Sequence, residues 1–231
     1  MLHGCGKQYT ETRAEDFTPK QESQLPSSKV ELSAIERQRA QILKDAESGD
    51  AESQWKLGGA YRTGFLGGSV DPVNAAIWYK KSADQGYDKA QLSLALLYSE
   101  GGELPKDITK AVELYKKAAA QGNPDAQYML GFLYGTGEGL PQDDIEAGKW
   151  YKRAAVQGKA AAQISLSSWY GLSFPPRDNV LSYAWCNLAA AQDKKWAKVC
   201  DTIATRLTPH EFSEGQQIAR NWIKGDDLHR Q

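Results

Sequence analysis

The chain has 231 residues, 41% of them hydrophobic, and its 28 lysines and arginines nearly balance its 29 aspartates and glutamates. This balance excludes a strong whole-molecule field that would attract nucleic acid or an anionic membrane, and no apolar run reaches the roughly 18 residues of a transmembrane helix. The cysteines, Cys5, Cys186 and Cys200, are too few and too widely spaced for a disulfide scaffold or a structural zinc site, so we expect no metal and no cofactor.

The first segment, residues 1–27, contains many glutamine, glutamate, serine, threonine and lysine residues and few apolar ones. Such a composition cannot offset the entropy lost on ordering, which predicts a flexible tether. Ser28 and Glu31 then have the S-x-x-E spacing of a capping box. They predict an amphipathic helix over residues 28–48 that forms an N-terminal cap.

Residues 49–193 contain four repeated units, which open at Gly49, Gly86, Gly122 and Gly158 and are therefore 37, 36 and 36 residues apart. Each unit has two helical tracts, for example GNPDAQYMLGFLY followed by EAGKWYKRAAVQG. In every first tract a leucine lies four residues before a tyrosine, which places both on one helical face and predicts a core stripe. The leucines are Leu57, Leu94, Leu130 and Leu166, and the tyrosines are Tyr61, Tyr98, Tyr134 and Tyr170.

The ends of the second helices are marked by aspartate and glycine. An aspartate precedes each one, where its carboxylate can accept the unpaired amide groups of the first turn. A glycine, the residue best suited to the left-handed conformation, ends the first three, and Asp193 takes that place in the fourth unit. The aspartates are Asp71, Asp107, Asp143 and Asp178, and the glycines are Gly86, Gly122 and Gly158.

A small residue follows each leucine of the first helices. A short side chain there predicts close approach of the neighbouring helix and its tryptophan. Trp78, Trp150 and Trp185 occupy equivalent places in the second helices, with Leu114 in the second unit. The small residues are Gly58, Ala95, Gly131 and Ser167.

Residues 194–225 are predicted to form a capping hairpin, followed by a tail over residues 226–231. The last helix of this hairpin is predicted to begin with Thr208 as N-cap, Pro209 at N1 and Glu211 at N3.

Cys186 and Cys200 lie seven residues on either side of Asp193. An antiparallel hairpin that turns there would place them at about the same height, so a disulfide is geometrically possible. The alternative is two buried thiols that pack as small apolar side chains. The sequence leaves both open.

The repeated residues resemble the Sel-like repeat (SLR) family, relatives of tetratricopeptide repeats with units of the form A-x-x-x-L-G-x-x-Y…G…D…A-x-x-W-Y-x-K-A-A-x-Q-G. The resemblance spans roughly Ala46 to Ala191, with local departures at Ser182 and Cys186. It implies an all-α fold, a right-handed α/α solenoid of about four helix–turn–helix repeats with N- and C-terminal capping helices. It also implies a protein that binds other proteins.

The start of the chain, MLHGCGKQ, is similar to the end of a bacterial lipoprotein signal peptide, in which Cys5 would be lipidated. The charged and apolar regions of such a peptide are absent, and the alternative is a cytoplasmic protein with an incidental exposed cysteine. The polar tether directly after Cys5 favours a periplasmic protein, whose contact with a membrane would be this lipid anchor alone.

Catalytic candidates are scarce. His3, His210 and His229 all lie outside the repeats, without a second group placed to form a general acid–base pair. We therefore expect a protein that is not an enzyme.

Positions that differ between units are candidates for partner binding, because packing explains the positions that repeat. The first helices line the concave wall of related solenoids, and Leu96, Met129 and Phe132 there could form a groove for a partner's helix or loop. The alternative is packing between adjacent units. The candidate residues are Lys56, Arg62, Ser93, Leu96, Met129, Phe132, Ser165 and Trp169.

The SLR resemblance further implies two classes of function, because such lipoproteins include periplasmic immunity proteins and assembly factors of the cell envelope. We expect an immunity protein that binds a secreted antibacterial toxin, for example a phospholipase effector of type VI secretion. The alternative is a scaffold or adaptor lipoprotein in envelope assembly or signalling.

Overall fold

A computed structural model of the protein describes residues 34–65, 69–102, 104–173 and 177–228. Residues 1–33 lie outside this part, and with them the predicted tether, the candidate lipidation site Cys5 and the capping box of Ser28 and Glu31. The described residues form eleven α-helices and no strand. The helices are α1 (Ala34–Glu47), α2 (Ala51–Thr63), α3 (Pro72–Asp84), α4 (Asp88–Glu100), α5 (Ile108–Ala120), α6 (Pro124–Thr136), α7 (Asp144–Val156), α8 (Ala160–Ser168), α9 (Asn179–Gln192), α10 (Ala197–Ala204) and α11 (Pro209–Asn221).

The helices stack in chain order as an all-α solenoid, which confirms the predicted fold class. Four pairs, α2 with α3 through α8 with α9, form the repeated units. The main contacts join consecutive helices, and α11 additionally packs on α9. Helix α1 precedes the first unit, and α10 and α11 follow the fourth.

The predicted N-caps are confirmed at all four second helices. The carboxylates of Asp71, Asp107, Asp143 and Asp178 accept backbone N–H groups of the first turns at 2.9 to 3.0 Å. These bonds satisfy amide groups that have no partner within the helix.

The predicted ends of the second helices are confirmed in all four units, but the left-handed conformation is found in only three. Gly86, Gly122 and Gly158 have φ angles of 89°, 92° and 89°, in the left-handed region. Asp193 follows the last residue of α9 as predicted, but it has φ −146°, an extended conformation, and its carboxylate accepts the Lys195 N–H at 3.0 Å. The reason is that a 3₁₀ turn, Lys194–Trp196, begins at once, so Asp193 both ends α9 and starts the next element.

The two glycines among the small residues of the first helices face tyrosines, which corrects the expected tryptophan contact, and Ser167 donates a hydrogen bond to the Ser182 carbonyl. A Cβ atom added at Gly58 would lie 2.6 Å from Tyr79 Cδ1, and one at Gly131 would lie 2.6 Å from Tyr151 Cδ1. Each tyrosine is one residue beyond the tryptophan position and therefore points to the neighbouring first helix. Trp78 and Trp150 lie further out and are half-buried, and the Lys81 Nζ is 3.9 Å from the ring centroid of Trp78. Trp185 of the fourth unit is instead completely buried.

A ladder of buried glutamines joins each unit to the helix before it. The side-chain amide of each buried glutamine donates to a carbonyl eight residues earlier at 3.1 to 3.4 Å, and its oxygen accepts from a second glutamine at 2.7 to 2.9 Å. The buried members are Gln54, Gln91, Gln127 and Gln163, and their partners are Gln85, Gln121, Gln157 and Gln192.

The C-terminal end folds back on the last units. Helices α10 and α11 both pack on α9. Beyond them, Gly225 N–H donates to the Val156 carbonyl at 2.7 Å, and Leu228 is buried. Residues 226–228, predicted to belong to a tail, are therefore packed against the solenoid.

Cys186 and Cys200 are brought together by α9 and α10. Their Cα atoms are 5.6 Å apart and their sulfur atoms are bonded, and both residues are buried. Of the two arrangements that the sequence leaves open, the structure has the disulfide.

Candidate functional site

Six of the eight candidate partner-binding residues, all except Arg62 and Trp169, fall into two rows when the units are superimposed by the spacing of their repeats. The first, which we call the junction row, contains Lys56, Ser93, Met129 and Ser165. The second, the outer row, contains Gly59, Leu96, Phe132 and Ser168. Both rows run across the first helices of the four units, α2, α4, α6 and α8.

The junction row is largely engaged within the protein. Ser93 accepts a hydrogen bond from Trp55 Nε1 at 3.0 Å, which links the first two units. Ser165 partly offsets the rise in the pKa of the Tyr151 hydroxyl, and Met129 packs against the apolar core of the middle units. Lys56 is exposed and forms an ion pair with Glu52 at 2.9 Å. This row therefore contributes mainly to packing between units.

The outer row is more open to solvent. Phe132 is 40% exposed, although burial of a phenyl ring away from water is favourable. Leu96, at the equivalent position of the preceding unit, is half-buried, and Ser168, at that of the following unit, is exposed. Arg62, near the end of α2, lies 3.6 Å from Glu100 at the end of α4. The two middle units thus place apolar residues in the outer row, Leu96 and Phe132, which we call the apolar patch, with a charged pair towards the first unit.

Trp169, which is also a predicted partner-binding residue, does not belong to either row. By register it corresponds to Ala60, Leu97 and Leu133, positions that face the preceding second helix. Its indole lies against Gly148, where an added Cβ would be 2.3 Å from Cε2, and its Nε1 donates to the Asp144 carbonyl at 2.6 Å. The outer-row position of the fourth unit is Ser168, one residue earlier.

The tyrosines beneath the rows are held in the neutral form. Burial raises the pKa of Tyr151 to about 12, and the neighbouring Tyr128 adds to the effect. A neutral phenol at physiological pH can donate and accept hydrogen bonds but is a poor general base. These hydroxyls therefore position the first helices.

Chemistry by metal or histidine has little basis in the described residues. Residues 34–65, 69–102, 104–173 and 177–228 contain no group of three or more His, Cys, Asp or Glu side chains that could hold a metal ion. Among the helices of these residues, none is long and apolar enough to cross a bilayer. His210 is exposed in the first turn of α11, and His3 and His229 lie outside the described residues.

Comparison with protein families gives a match over more than half of the chain. The family described as Sel1 repeat matches residues 51–87, 88–123, 124–159 and 160–194. Each matched segment begins at the first residue of α2, α4, α6 or α8, so the family units coincide with the helix pairs.

Solved structures with a similar fold come from several bacteria. A protective antigen of uropathogenic Escherichia coli strains with an SLR fold is 28% identical, with a TM-score of 0.53 over 79% of this chain and 47% of that one. A Sel1 repeat protein from Oxalobacter formigenes is 29% identical, with a TM-score of 0.62 over 68% of this chain and 64% of that one. An immunity protein from Pseudomonas aeruginosa is 22% identical, with a TM-score of 0.52 over 84% and 76% of the two chains, a likeness of fold alone.

Among curated proteins, chitin synthase regulatory factor 3 of Schizosaccharomyces pombe is 38% identical over 84 residues. The aligned part is 35% of this chain and 9% of that protein. The chain thus spans only a small part of this curated relative, and less than two thirds of the first two solved structures.

Proposed function

This chain belongs to the Sel1 repeat family of protein-binding solenoids, and we propose that it is a periplasmic immunity protein that binds and neutralises a secreted antibacterial toxin. Binding would occur on the first helices, without catalysis by this chain. The main support is the apolar patch of Leu96 and Phe132, because an aromatic ring left 40% exposed is typical of a protein–protein contact.

The composition of the surface around this patch agrees with such a contact. The outer row itself has no charged side chain from Gly59 to Ser168, whereas Lys56, Arg62 and Glu100 lie towards its first unit. An apolar centre with charges at the edge is the usual anatomy of an interface, in which the centre supplies affinity and the charges supply orientation.

The immunity role rests on two further observations. The fold is shared with a protein described as an immunity protein in Pseudomonas aeruginosa. The start of the chain is similar to a lipobox, which would place the solenoid in the periplasm, where a secreted toxin acts. A scaffold or adaptor at the cell envelope is the second candidate, favoured by the similarity to a regulatory factor of chitin synthase.

Capture of a partner tests the binding surface. The native chain and its Phe132→Asp variant would be used as bait for proteins encoded by neighbouring genes. We expect the substitution to weaken capture by about tenfold or more, because a desolvated carboxylate would face an apolar contact. Ile145→Asp is the matched control, since Ile145 is 64% exposed on the second helix α7. Equal capture by the native chain and Phe132→Asp, with unchanged helicity, would exclude this surface.

Protection of cells separates the two candidate functions. Co-expression of the chain with a toxin from a neighbouring gene should restore growth, and Phe132→Asp should abolish this protection while Ile145→Asp retains it. A partner that is captured through Phe132 but is not a toxin would contradict the immunity role and support the scaffold.

A further inference from the structure

An open groove lies between α1 and α2, at the N-terminal end of the solenoid. Its walls are formed by Leu43 of α1, by Leu57, Ala60 and Tyr61 of α2, and by Phe65 of the following loop, with Arg39 at the rim and Ser69 as a further polar lining residue. The groove and the open solvent at its mouth together occupy about 420 Å³. Phe65 is 63% exposed. The walls are therefore largely apolar, with a cation beside them.

The repeat explains why no side chain of the described residues fills this groove. At the later junctions, the residues equivalent to Ala60 are larger and fill the space against the preceding second helix. Leu97 and Leu133 are buried there, and Trp169 lies against Gly148. The first junction has only the methyl group of Ala60. The larger apolar side chain that fills this position at the three later junctions is therefore missing.

We propose that Phe17 of this chain occupies the groove. Residues 1–33 precede α1, whose side chains Arg39 and Leu43 border the groove, so the segment ends beside it. Phe17 is the one phenylalanine of that segment, and Glu15 and Asp16 immediately before it match the charge of Arg39. An aromatic ring thus meets apolar walls while its acidic neighbours meet the cation at the rim.

The length of the chain permits this contact. If the helix that contains α1 starts at Ser28, as its capping box predicts, about 22 Å of helix separate Ser28 from Leu43. The 11 residues from Phe17 to Ser28 reach about 37 Å when extended, which is sufficient for a return along α1. Leu25 is only three residues from Ser28 and reaches about 10 Å, which is too short.

Attachment to the same chain also favours this occupant over a separate molecule. A short flexible connection gives the ring an effective concentration of order millimolar, so a weak apolar contact suffices for occupancy. The contact does not depend on the proposed function, since it lies on α1 and α2 and away from Phe132.

Fluorine NMR of the full chain tests the proposal. The five phenylalanines would be replaced by 4-fluorophenylalanine, and the Phe17 signal assigned with Phe17→Leu. We expect this signal to lie away from its position in urea. Ala60→Leu, which supplies the missing side chain, should return it to that position. Ser168→Leu, the same change in size at an exposed site of α8, should leave it displaced.

Two outcomes would overturn the proposal: a Phe17 signal at its urea position in the native chain, or a displaced signal that Ala60→Leu does not move. Hydrogen exchange decides the matter if Ala60→Leu does not fold. Phe17→Ser should then speed exchange of the α1 amides around Arg39 and Leu43 roughly tenfold, whereas Tyr9→Ser, in the same segment, should not. Equal rates in both variants contradict docking of Phe17.

Discussion

A buried glutamine joins each unit of the solenoid to the one before it. Gln127, for example, donates to the Ala119 carbonyl at 3.3 Å and accepts from Gln157 at 2.8 Å. A buried amide must find such partners, since an unsatisfied polar group costs about 1–3 kcal/mol. The ladder was not predicted, because polar residues in an amphipathic helix are assigned to its solvent face. Its recurrence at the spacing of the repeat was the available signal.

Gly148 and Trp169 are a matched pair of small and large residues. In an ordinary helix Gly→Ala adds up to about 1 kcal/mol of stability. At Gly148 the added Cβ would lie 2.3 Å from the indole, so we expect Gly148→Ala to lower the free energy of unfolding by about 1–3 kcal/mol. Urea denaturation followed by circular dichroism measures the difference.

The control for this prediction is Gly59→Ala in α2, where the added Cβ would lie 3.6 Å from the Tyr79 hydroxyl and no clash results. That variant should be as stable as the native chain or more so. Trp169→Leu should rescue Gly148→Ala, because leucine is the residue at the equivalent positions 97 and 133. A Gly148→Ala variant that is more stable than the native chain would show that the indole moves freely.

At the level of elements, the starts of the second helices depend on ionised aspartates. The Lys110 N–H that donates to Asp107 holds the pKa of this carboxyl below its usual value of 3.8, and the Asn74 N–H does the same for Asp71. A carboxyl whose pKa is lowered by folding stabilises the native state above its unfolded pKa. The contribution is lost as the pH falls through the lowered value.

The Asp107→Asn variant therefore separates the effect of the N-cap hydrogen bond on stability from that of the negative charge. Asparagine accepts the same hydrogen bond but does not titrate. We expect a melting temperature close to that of the native chain at neutral pH, and a shallower decrease below about pH 4. Asp107→Ala, which removes the acceptor as well, should melt lower at neutral pH. Parallel acid dependence of the native chain and Asp107→Asn would show that this carboxylate does not contribute to acid unfolding.

The boundaries of most elements followed from local chemistry, because Asp71 and Asp107 lie directly before helices and Gly86 and Gly122 after them. The structure directly after α8 did not follow from local chemistry. There the chain forms a π-helical turn over Trp169–Ser173, and its first residue occupies a position that holds leucine in two other units. The periodicity of the repeat contains no information on this turn.

For the molecule as a whole, the disulfide is the one covalent link besides the backbone between α9 and the C-terminal cap in the described part of the chain. Cys200 is also the only buried residue of α10. The bond closes a loop of 14 residues, for which chain entropy gives about 3 kcal/mol. We expect reduction to lower the melting temperature, and the Cys186→Ala, Cys200→Ala double variant to match the reduced protein.

Thiol titration of the denatured protein checks this prediction independently. Protein folded under oxidising conditions should have no more than one reactive thiol, that of Cys5, out of three cysteines. Three reactive thiols, or a melting temperature unaffected by reductant, would show that the cap is held by apolar contacts alone.

The number of units and their order were predictable from the sequence, whereas the identity of a partner was not. The leucines, glycines and aspartates recur every 36 or 37 residues because they make the same contacts in each unit. Phe132 and Leu96 occur once each in their row, so nothing else in the chain indicates what they contact. Trp169 shows a related difficulty. An unusual residue that packs against a neighbouring helix cannot be distinguished, from the sequence, from an unusual residue that is exposed.

The stacking of consecutive helices also determines how this chain can acquire its structure. Because the main contacts are made between neighbours in sequence, the contact order is low and little loop entropy is lost before native contacts form. Each unit requires only its predecessor to cover its apolar face. Folding can therefore advance from the N-terminus while the remainder is still being synthesised, and closure of the Cys186–Cys200 bond would complete it.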